Sequence, residues 1–121
     1  MREKTVIDNL LINLATDFYK HPFGRYRNQG PYSGEKFREE ILVPALEKHK
    51  AVTVDITYAR GLGSSFLDEA FAGLIRNHGF TSELFKERVF IKSDVVRSWP
   101  ESIWRYVLIA ENQKNNKVPR K

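Results

Sequence analysis

The sequence predicts a single α/β domain in which strands and helices alternate and at least part of the sheet is parallel. The prediction rests on the order strand, loop, helix, strand, helix, strand, helix, because helical crossovers join parallel neighbours. A length of 121 residues suits one domain, and an apolar fraction of 41% with eight phenylalanines indicates a folded core. We therefore expect one domain over residues 1–111 and a basic, disordered tail over residues 112–121.

The first part of the chain holds the most ambiguous elements. Residues 5–14, TVIDNLLINL, indicate one or two strands, and their pattern is also compatible with a short helix. Residues 15–34 are rich in glycine and proline, which is typical of a functional loop or of a loop that hides a short strand. Residues 23–27, FGRYR, are our candidate for that strand.

The first helix is predicted to begin at Ser33, whose hydroxyl is suited to cap it. Its apolar positions are Phe37, Ile41, Leu42 and Ala45. Pro44 lies inside this pattern and cannot donate to a carbonyl one turn back. We therefore expect it to kink or split the helix.

The clearest strand is AVTVDITYA, residues 51–59, because its β-branched residues alternate onto one face. The next helix is predicted over residues 65–77, with a broad apolar stripe, and Gly79 supplies its end. A short glycine-rich turn therefore joins the strand to the helix.

The last elements are a helical turn, a strand and a helix. Residues 80–87 indicate the turn, and residues 88–93, RVFIKS, indicate the short strand. Ser98 and Glu101 form a capping box that opens the final helix. The apolar positions of that helix are Ile103, Trp104, Val107, Leu108 and Ala110.

The composition excludes several functional classes. The chain has no cysteine, so it forms no disulfide or thiolate metal site, and this fits a reducing compartment. The N-terminus lacks the pattern of a signal peptide, and no window approaches the roughly 18 apolar residues of a membrane span. We expect a soluble, cytoplasmic protein. Four of its five net positive charges lie in residues 112–121, so the body is nearly neutral.

The sequence does not predict an enzyme, a cofactor or a metal site. The three histidines, His21, His49 and His78, are scattered and lack metal-ligand spacing. Asp68 and Glu69 diverge by about 100° on a helix, which is poor geometry for shared acid–base work. The segment GLGSS also lacks the residues of a nucleophile elbow, a Walker loop or a dinucleotide fingerprint.

The turn over residues 60–65 is the main candidate site. In a parallel sheet, functional loops collect at the carboxyl ends of strands, and this turn lies there. A phosphate attached to or bound beside Ser64 or Ser65 would be stabilised by the helix N-terminus, with Arg60, Gly61 and Gly63 in the same turn. Capping by Ser65, with Asp68 as its partner, is worth roughly 1 kcal/mol and explains one serine only.

An alternative site is the aromatic and basic stretch over residues 18–38. Interleaved aromatic and basic residues can bind single-stranded nucleic acid, and the basic tail would assist. The competing interpretation is a loop whose aromatic side chains fold back on the sheet. The nucleic-acid candidates are Arg25, Tyr26, Arg27, Tyr32, Lys36 and Arg38.

Two segments carry a resemblance to a known family. They are S-G-E-x-F-R at residues 33–38 and S-S-F-L-D-E-A-F at residues 64–71. With these segments the chain resembles the STAS-like domain family of unknown function over residues 22–110. The resemblance implies a single-layer mixed sheet of about four strands with helices packed mainly on one face.

The same resemblance implies a regulatory or protein-interaction role. STAS domains of anti-sigma factor antagonists carry a D-S-S/T-G motif whose first serine is phosphorylated by a partner kinase. Ser64 matches that serine and Ser65 the second, with Gly63 at the aspartate position and Phe66 at the glycine position. The implied partner is a protein, such as a kinase or a histidine-kinase-like ATPase. We expect the partner to meet the turn and the helix face of Asp68, Glu69 and Arg76.

Overall fold

The computed structural model describes residues 8–116. Three strands lie within this range: β1 (Asn9–Asn13), β2 (Ala51–Asp55) and β3 (Val89–Lys92). They form one sheet in the order β1-β2-β3, and both pairs are parallel. Each strand therefore pairs in parallel with the next strand of the chain, and such pairing requires a crossover connection between the two strands.

Two long helices, α1 and α2, provide the crossovers. Each is built of an α-helical, a π-helical and a second α-helical segment. In α1 the segments are Gly34–Phe37, Arg38–Leu42 and Val43–Lys48. In α2 they are Ser64–Leu67, Asp68–Ala72 and Gly73–Asn77. Two further helices follow in the chain: α3 (Ser82–Arg88) and α4 (Ser98–Asn115).

The start of α1 is as predicted, because the Ser33 hydroxyl accepts a hydrogen bond from the Lys36 N–H at 3.1 Å. Pro44 does not split the helix, which continues to Lys48. The irregularity takes the form of the π-helical segment directly before Pro44, where the Val43 N–H donates to the Arg38 carbonyl. This i→i+5 bonding is a local adjustment within a continuous helix.

The helices cover one face of the sheet. Val52, Val54 and Val89 are buried on that face. Leu11 and Phe90, which flank Thr53 in register, lie on the opposite face and are 59% and 43% exposed. Because both crossovers move in the same direction across the sheet, right-handed connections place α1 and α2 on the same side.

The sheet differs from the predicted mixed sheet of about four strands. Within residues 8–116 it has three strands, all parallel, and a fourth strand is not confirmed. The FGRYR segment, residues 23–27, is a loop followed by a 3₁₀ turn, so our candidate strand is wrong. Gly24 has a φ of +93°, and the Arg27 guanidinium binds two carboxylates of α1. The backbone of residues 23–25 bonds to residues 32–35, where the loop enters α1, and not to β1, β2 or β3.

The two ends of α4 also differ from expectation. The predicted capping box is absent, because Arg97 precedes the helix in an already helical conformation and no side chain caps it. The helix runs to Asn115 and thus includes the first residues of the segment predicted as a tail. Lys114 donates to the Ile75 carbonyl at 3.0 Å, and residues 117–121 lie outside the described range. No helix within residues 8–116 is long and apolar enough to cross a bilayer.

Candidate functional site at the carboxyl end of the sheet

The turn that joins β2 to α2 is anchored to the end of β3. The Asp55 carboxylate accepts a hydrogen bond from the Thr57 N–H at 3.0 Å. The Thr57 hydroxyl in turn accepts one from the Asp94 N–H at 3.0 Å. The chain is therefore fixed where it leaves the sheet.

The second half of the turn is anchored to the loop that follows β1. The Arg60 N–H donates to the Lys20 carbonyl at 2.8 Å. Gly61 then adopts a φ of +65°, a left-handed conformation that a side chain would strain. The turn and the loop are thereby held side by side at the carboxyl edge of the sheet.

A cleft of about 310 Å³ lies between the turn and the loop. We call it the turn cleft; it is lined by residues 22–25, Gln29, Gly61 and residues 63–66. Its loop wall is folded on itself, because the Gln29 side-chain oxygen accepts hydrogen bonds from the Arg25 and Tyr26 N–H groups at 2.7 and 2.9 Å. The candidates Gly61, Gly63, Ser64 and Ser65 therefore share one cavity wall.

Neither serine of the turn cleft caps α2. The helix begins at Ser64 with Gly63 as its N-cap residue, and no side chain caps it. Gly63 takes the extended conformation that a cap requires, with φ −100° and ψ 164°, which places both serines inside the first turn. The prediction that Ser65 caps the helix with Asp68 is therefore wrong. Both hydroxyls are exposed, and neither makes a hydrogen bond within residues 8–116.

Two basic residues, Lys20 and Arg60, lie close to the lining of the turn cleft in sequence and are joined by a backbone hydrogen bond. Lys20 and Arg60 are exposed, and within the described part of the chain neither forms an ion pair. The first N–H groups of α2 add partial positive charge at the same place. The arrangement suits an anionic group.

Two aromatic residues beside this turn were not among the predicted site residues. Phe23 is 71% exposed on the loop wall, and Tyr58 is 62% exposed in the turn. A sequence signal for Phe23 did exist, since a large apolar residue between Pro22 and Gly24 lies where no core position is expected. Each exposes an aromatic ring in a segment at the carboxyl edge of the sheet.

Beside the turn cleft, α1 and α2 meet in a buried contact that we call the helix junction, formed by Gly34, Arg38, Glu69 and Gly73. The Arg38 guanidinium is buried and donates to the Glu69 carboxylate at 2.7 Å and to the Glu69 carbonyl at 2.6 Å. A β-carbon on Gly73 would lie 2.1 Å from this guanidinium, and one on Gly34 would lie 2.6 Å from the Phe66 carbonyl. The two family-like segments therefore contact each other through close helix packing.

The helix junction corrects two predictions about accessible residues. Glu69 is 4% exposed, so it does not belong to an exposed partner surface. Arg38 is 1% exposed and cannot contact nucleic acid. Both were assigned to the surface because charged side chains are rarely buried unless paired. Their pairing spans 31 residues and is invisible in local sequence.

The other residues of the predicted partner surface bind one another. Asp68 accepts from Arg76 at 3.2 Å and from Arg25 at 2.6 Å. The Asp68 carboxylate holds the pKa of Arg25 above its usual range. Asp68 and Arg76 are thus partly exposed but engaged.

The remaining nucleic-acid candidates are also largely engaged within the protein. Arg27 binds Glu39 and Glu40 at 2.9 and 2.8 Å. Tyr32 stacks on Tyr19 with ring centroids 3.8 Å apart, and the Lys36 ammonium lies 5.4 Å from the Tyr32 ring centroid. Tyr26 is 48% exposed. Carboxylates therefore neutralise the charges of Arg25, Arg27 and Arg38, which argues against contacts between these arginines and phosphate.

His78 closes the outer side of the helix junction. Its Nε2 accepts a hydrogen bond from the Arg38 Nε–H at 3.2 Å. Burial, and then the charge of Arg38, lower the pKa of His78 below 6.5. The ring is therefore held neutral as an acceptor. In residues 8–116 no group of three or more His, Cys, Asp or Glu side chains is arranged to hold a metal ion.

Comparison with known proteins identifies one similarity. A family model described as a STAS-like domain of unknown function (DUF4325) matches residues 33–95, which include the helix junction and the turn cleft's serines. No curated protein and no solved structure matches the chain.

Proposed function

Because this chain belongs to the family of STAS-like domains of unknown function, we propose that it is a non-enzymatic regulatory module that binds a protein partner at the turn cleft. The observation that carries the proposal is the pair of exposed hydroxyls of Ser64 and Ser65, which have no hydrogen-bond partner within residues 8–116. The fold uses Ser33 as a cap at the equivalent point of α1, so the serines of α2 are free for another purpose.

The lining of the turn cleft favours binding over catalysis. Among its lining residues within 8–116, Arg25 is the one that is ionisable, and Asp68 holds it in the charged form. An arginine that stays charged does not transfer protons, so the lining supplies no general acid or base. Exposed aromatic side chains such as Phe23 and Tyr58 are instead typical anchors of protein interfaces.

Phosphorylation of Ser64 is the switch in this proposal. The resemblance assigns Ser64 to the phosphorylated serine of STAS relatives, and a partner kinase or histidine-kinase-like ATPase would modify it. A phosphate adds about 1.5 to 2 negative charges, which the N-terminus of α2 stabilises. It would also offset most of the positive charge of the neighbouring Arg60 and Lys20. A partner with an acidic surface would then be released.

Binding to the isolated partner tests the proposal. Wild type and Ser64→Asn, which keeps the site neutral, are expected to bind the partner equally, whereas Ser64→Asp is expected to release it. Phe23→Ala should weaken binding, and Leu108→Ala, on the exposed side of α4, is the matched control. Equal binding by wild type, Ser64→Asp and Phe23→Ala would refute the assignment of the partner site to the turn cleft.

A second candidate is a small phosphorylated ligand at the turn of residues 61–65, favoured by the neighbouring Lys20 and Arg60, which form no ion pair within residues 8–116. A ligand present at 100 times its dissociation constant stabilises the fold by about 2.7 kcal/mol. A thermal-shift screen with nucleotides and sugar phosphates would show this, and Arg60→Gln should abolish the shift. A flat screen would leave the protein partner as the sole candidate.

A further inference from the structure

Strand β1 has an open edge in the described structure. It pairs with β2 on one side, where the Ala51 N–H donates to the Asp8 carbonyl at 3.0 Å. Because alternate residues of a parallel strand face its neighbour, the backbone groups of Asn9 and Leu11 face the opposite side. The Asn13 N–H is satisfied by the Asp17 carboxylate at 2.7 Å. The edge therefore presents the polar groups of two central residues.

This edge lacks the features that usually prevent strand pairing. Proteins protect such edges with lysines, prolines or bulges. The segment Asn9–Asn13, NLLIN, has no charge and no proline, and Leu11 is 59% exposed. The other edge strand, β3, is one residue shorter and ends in the exposed Lys92. Strand β1 is thus the edge that is suited to pairing.

We propose that β1 pairs antiparallel with β1 of a second copy of this chain, about a two-fold axis at Leu11. The segment reads almost the same in both directions, so this axis places residues of the same type opposite each other. Leu11 faces its own copy, Leu10 faces Ile12, and Asn9 faces Asn13. Apolar residues therefore meet apolar residues, and amides meet amides.

Hydrogen bonding fits a second copy as the occupant, and the edge itself adds no charge repulsion. Strand β1 has no charged residue, so no like charges meet in the contact, and the net charge of +5 on each copy should make the dimer weaker at low salt. The nearby Asp8 carboxylate is turned to His49 at 2.7 Å. Leu11 exchanges two backbone hydrogen bonds with its copy, and each Asn9 N–H donates to an Asn13 carbonyl. The contact joins two sheets into one of six strands and is small, so the dimer is weak and concentration-dependent.

A cysteine probe tests this pairing because the chain has no cysteine of its own. In the dimer the two Leu11 Cα atoms lie about 5.5 Å apart, within the range of about 4.4–6.8 Å that a disulfide needs. Leu11→Cys is expected to cross-link on mild oxidation at least about tenfold faster than Ile109→Cys, because pairing raises the local thiol concentration. Ile109, 49% exposed on α4, is the matched control.

Sedimentation of the full chain provides the second measurement. The wild-type mass should rise from 14.1 kDa towards twice that value with concentration. Leu11→Lys should stay at the monomer mass with an unchanged circular dichroism spectrum, whereas Ile109→Lys should behave as wild type. A wild type that stays monomeric at several hundred micromolar, a cross-linking rate equal to that of the control, or a dimer that survives Leu11→Lys would overturn the proposal. The pairing is independent of the turn cleft, so neither result bears on the proposed function.

Discussion

Neutralising Glu69 is expected to destabilise the protein strongly. The Glu69→Gln substitution keeps the shape of the side chain and removes the charge that faces Arg38 at 2.7 Å. Because Arg38 is 1% exposed, its buried charge would then keep only the more distant Glu39 carboxylate, at 3.6 Å, as a counter-charge. Breaking a buried pair in this way costs roughly 3–5 kcal/mol. The Glu69 carbonyl still accepts from Arg38 at 2.6 Å, so we expect the lower end, about 3 kcal/mol.

The measurement is urea unfolding together with a thermal melt. With an unfolding entropy of about 2.1 cal/mol/K per residue, a chain of 121 residues should lose roughly 12 °C in Tm. Asp68→Asn is the control, since this neighbouring carboxylate is part of partly exposed ion pairs that are worth less than about 1 kcal/mol each.

A second variant isolates the buried charge as the cause. Adding Arg38→Met to Glu69→Gln should recover part of the lost stability, because no unpaired charge then remains in the helix junction. If Glu69→Gln were as stable as Asp68→Asn, or the double variant less stable than the single one, the reasoning about the buried charge would be refuted.

Three further predictions concern the same helices. Gly34→Ala should lower the free energy of unfolding in denaturant by about 1–3 kcal/mol, because the new β-carbon would lie 2.6 Å from a carbonyl oxygen. Gly63→Ala, which has open space around it, should cost less, and equal losses would contradict the close packing at Gly34. The free energy of unfolding should fall as the pH drops below 6.5, because the pKa of His78 is lowered in the folded protein and the unfolded chain therefore binds the proton more tightly. His78→Gln should flatten this pH dependence, and an unchanged profile would rule out His78 as its cause. Ser33→Ala should cost about 1 kcal/mol through loss of a cap, whereas Ser64→Ala should be close to neutral, and a comparable loss would show a structural role for that serine.

The sequence was sufficient for the order of the elements, because that order depends on local apolar periodicity. The strand at Ala51–Asp55 and the cap at Ser33 were both predicted from neighbouring residues. The same Ser-x-x-acid pattern failed at Ser65 and Ser98, where the cap position is occupied by Gly63, two residues before Ser65, and by Arg97, directly before Ser98. Side-chain identity is thus insufficient when the chain enters the helix one or two residues earlier.

The sequence predicted the position of the turn and not the residues that lie opposite it. The turn after β2 follows from the rule that loops collect at the carboxyl ends of strands, and the serines lie there. The opposite wall, with Phe23 and Arg25, comes from a loop about 40 residues earlier in the chain. Contacts between residues so far apart in the sequence depend on the packed fold, so they cannot be predicted from local sequence patterns. The burial of Glu69 and Arg38 was missed for the same reason.

Each of the two long helices, α1 and α2, contains one π-helical turn. Each i→i+5 turn takes in one residue more than an α-helical turn. Removing one residue from Arg38–Leu42 would restore regular α-helix and leave the two halves of α1 in phase, because the extra residue is taken up within that single turn. Removing one residue from a regular segment such as Val43–Lys48 would instead rotate the residues beyond it by about 100°. A single-residue deletion in these helices should therefore be tolerated at a π-helical turn and not in the regular segments.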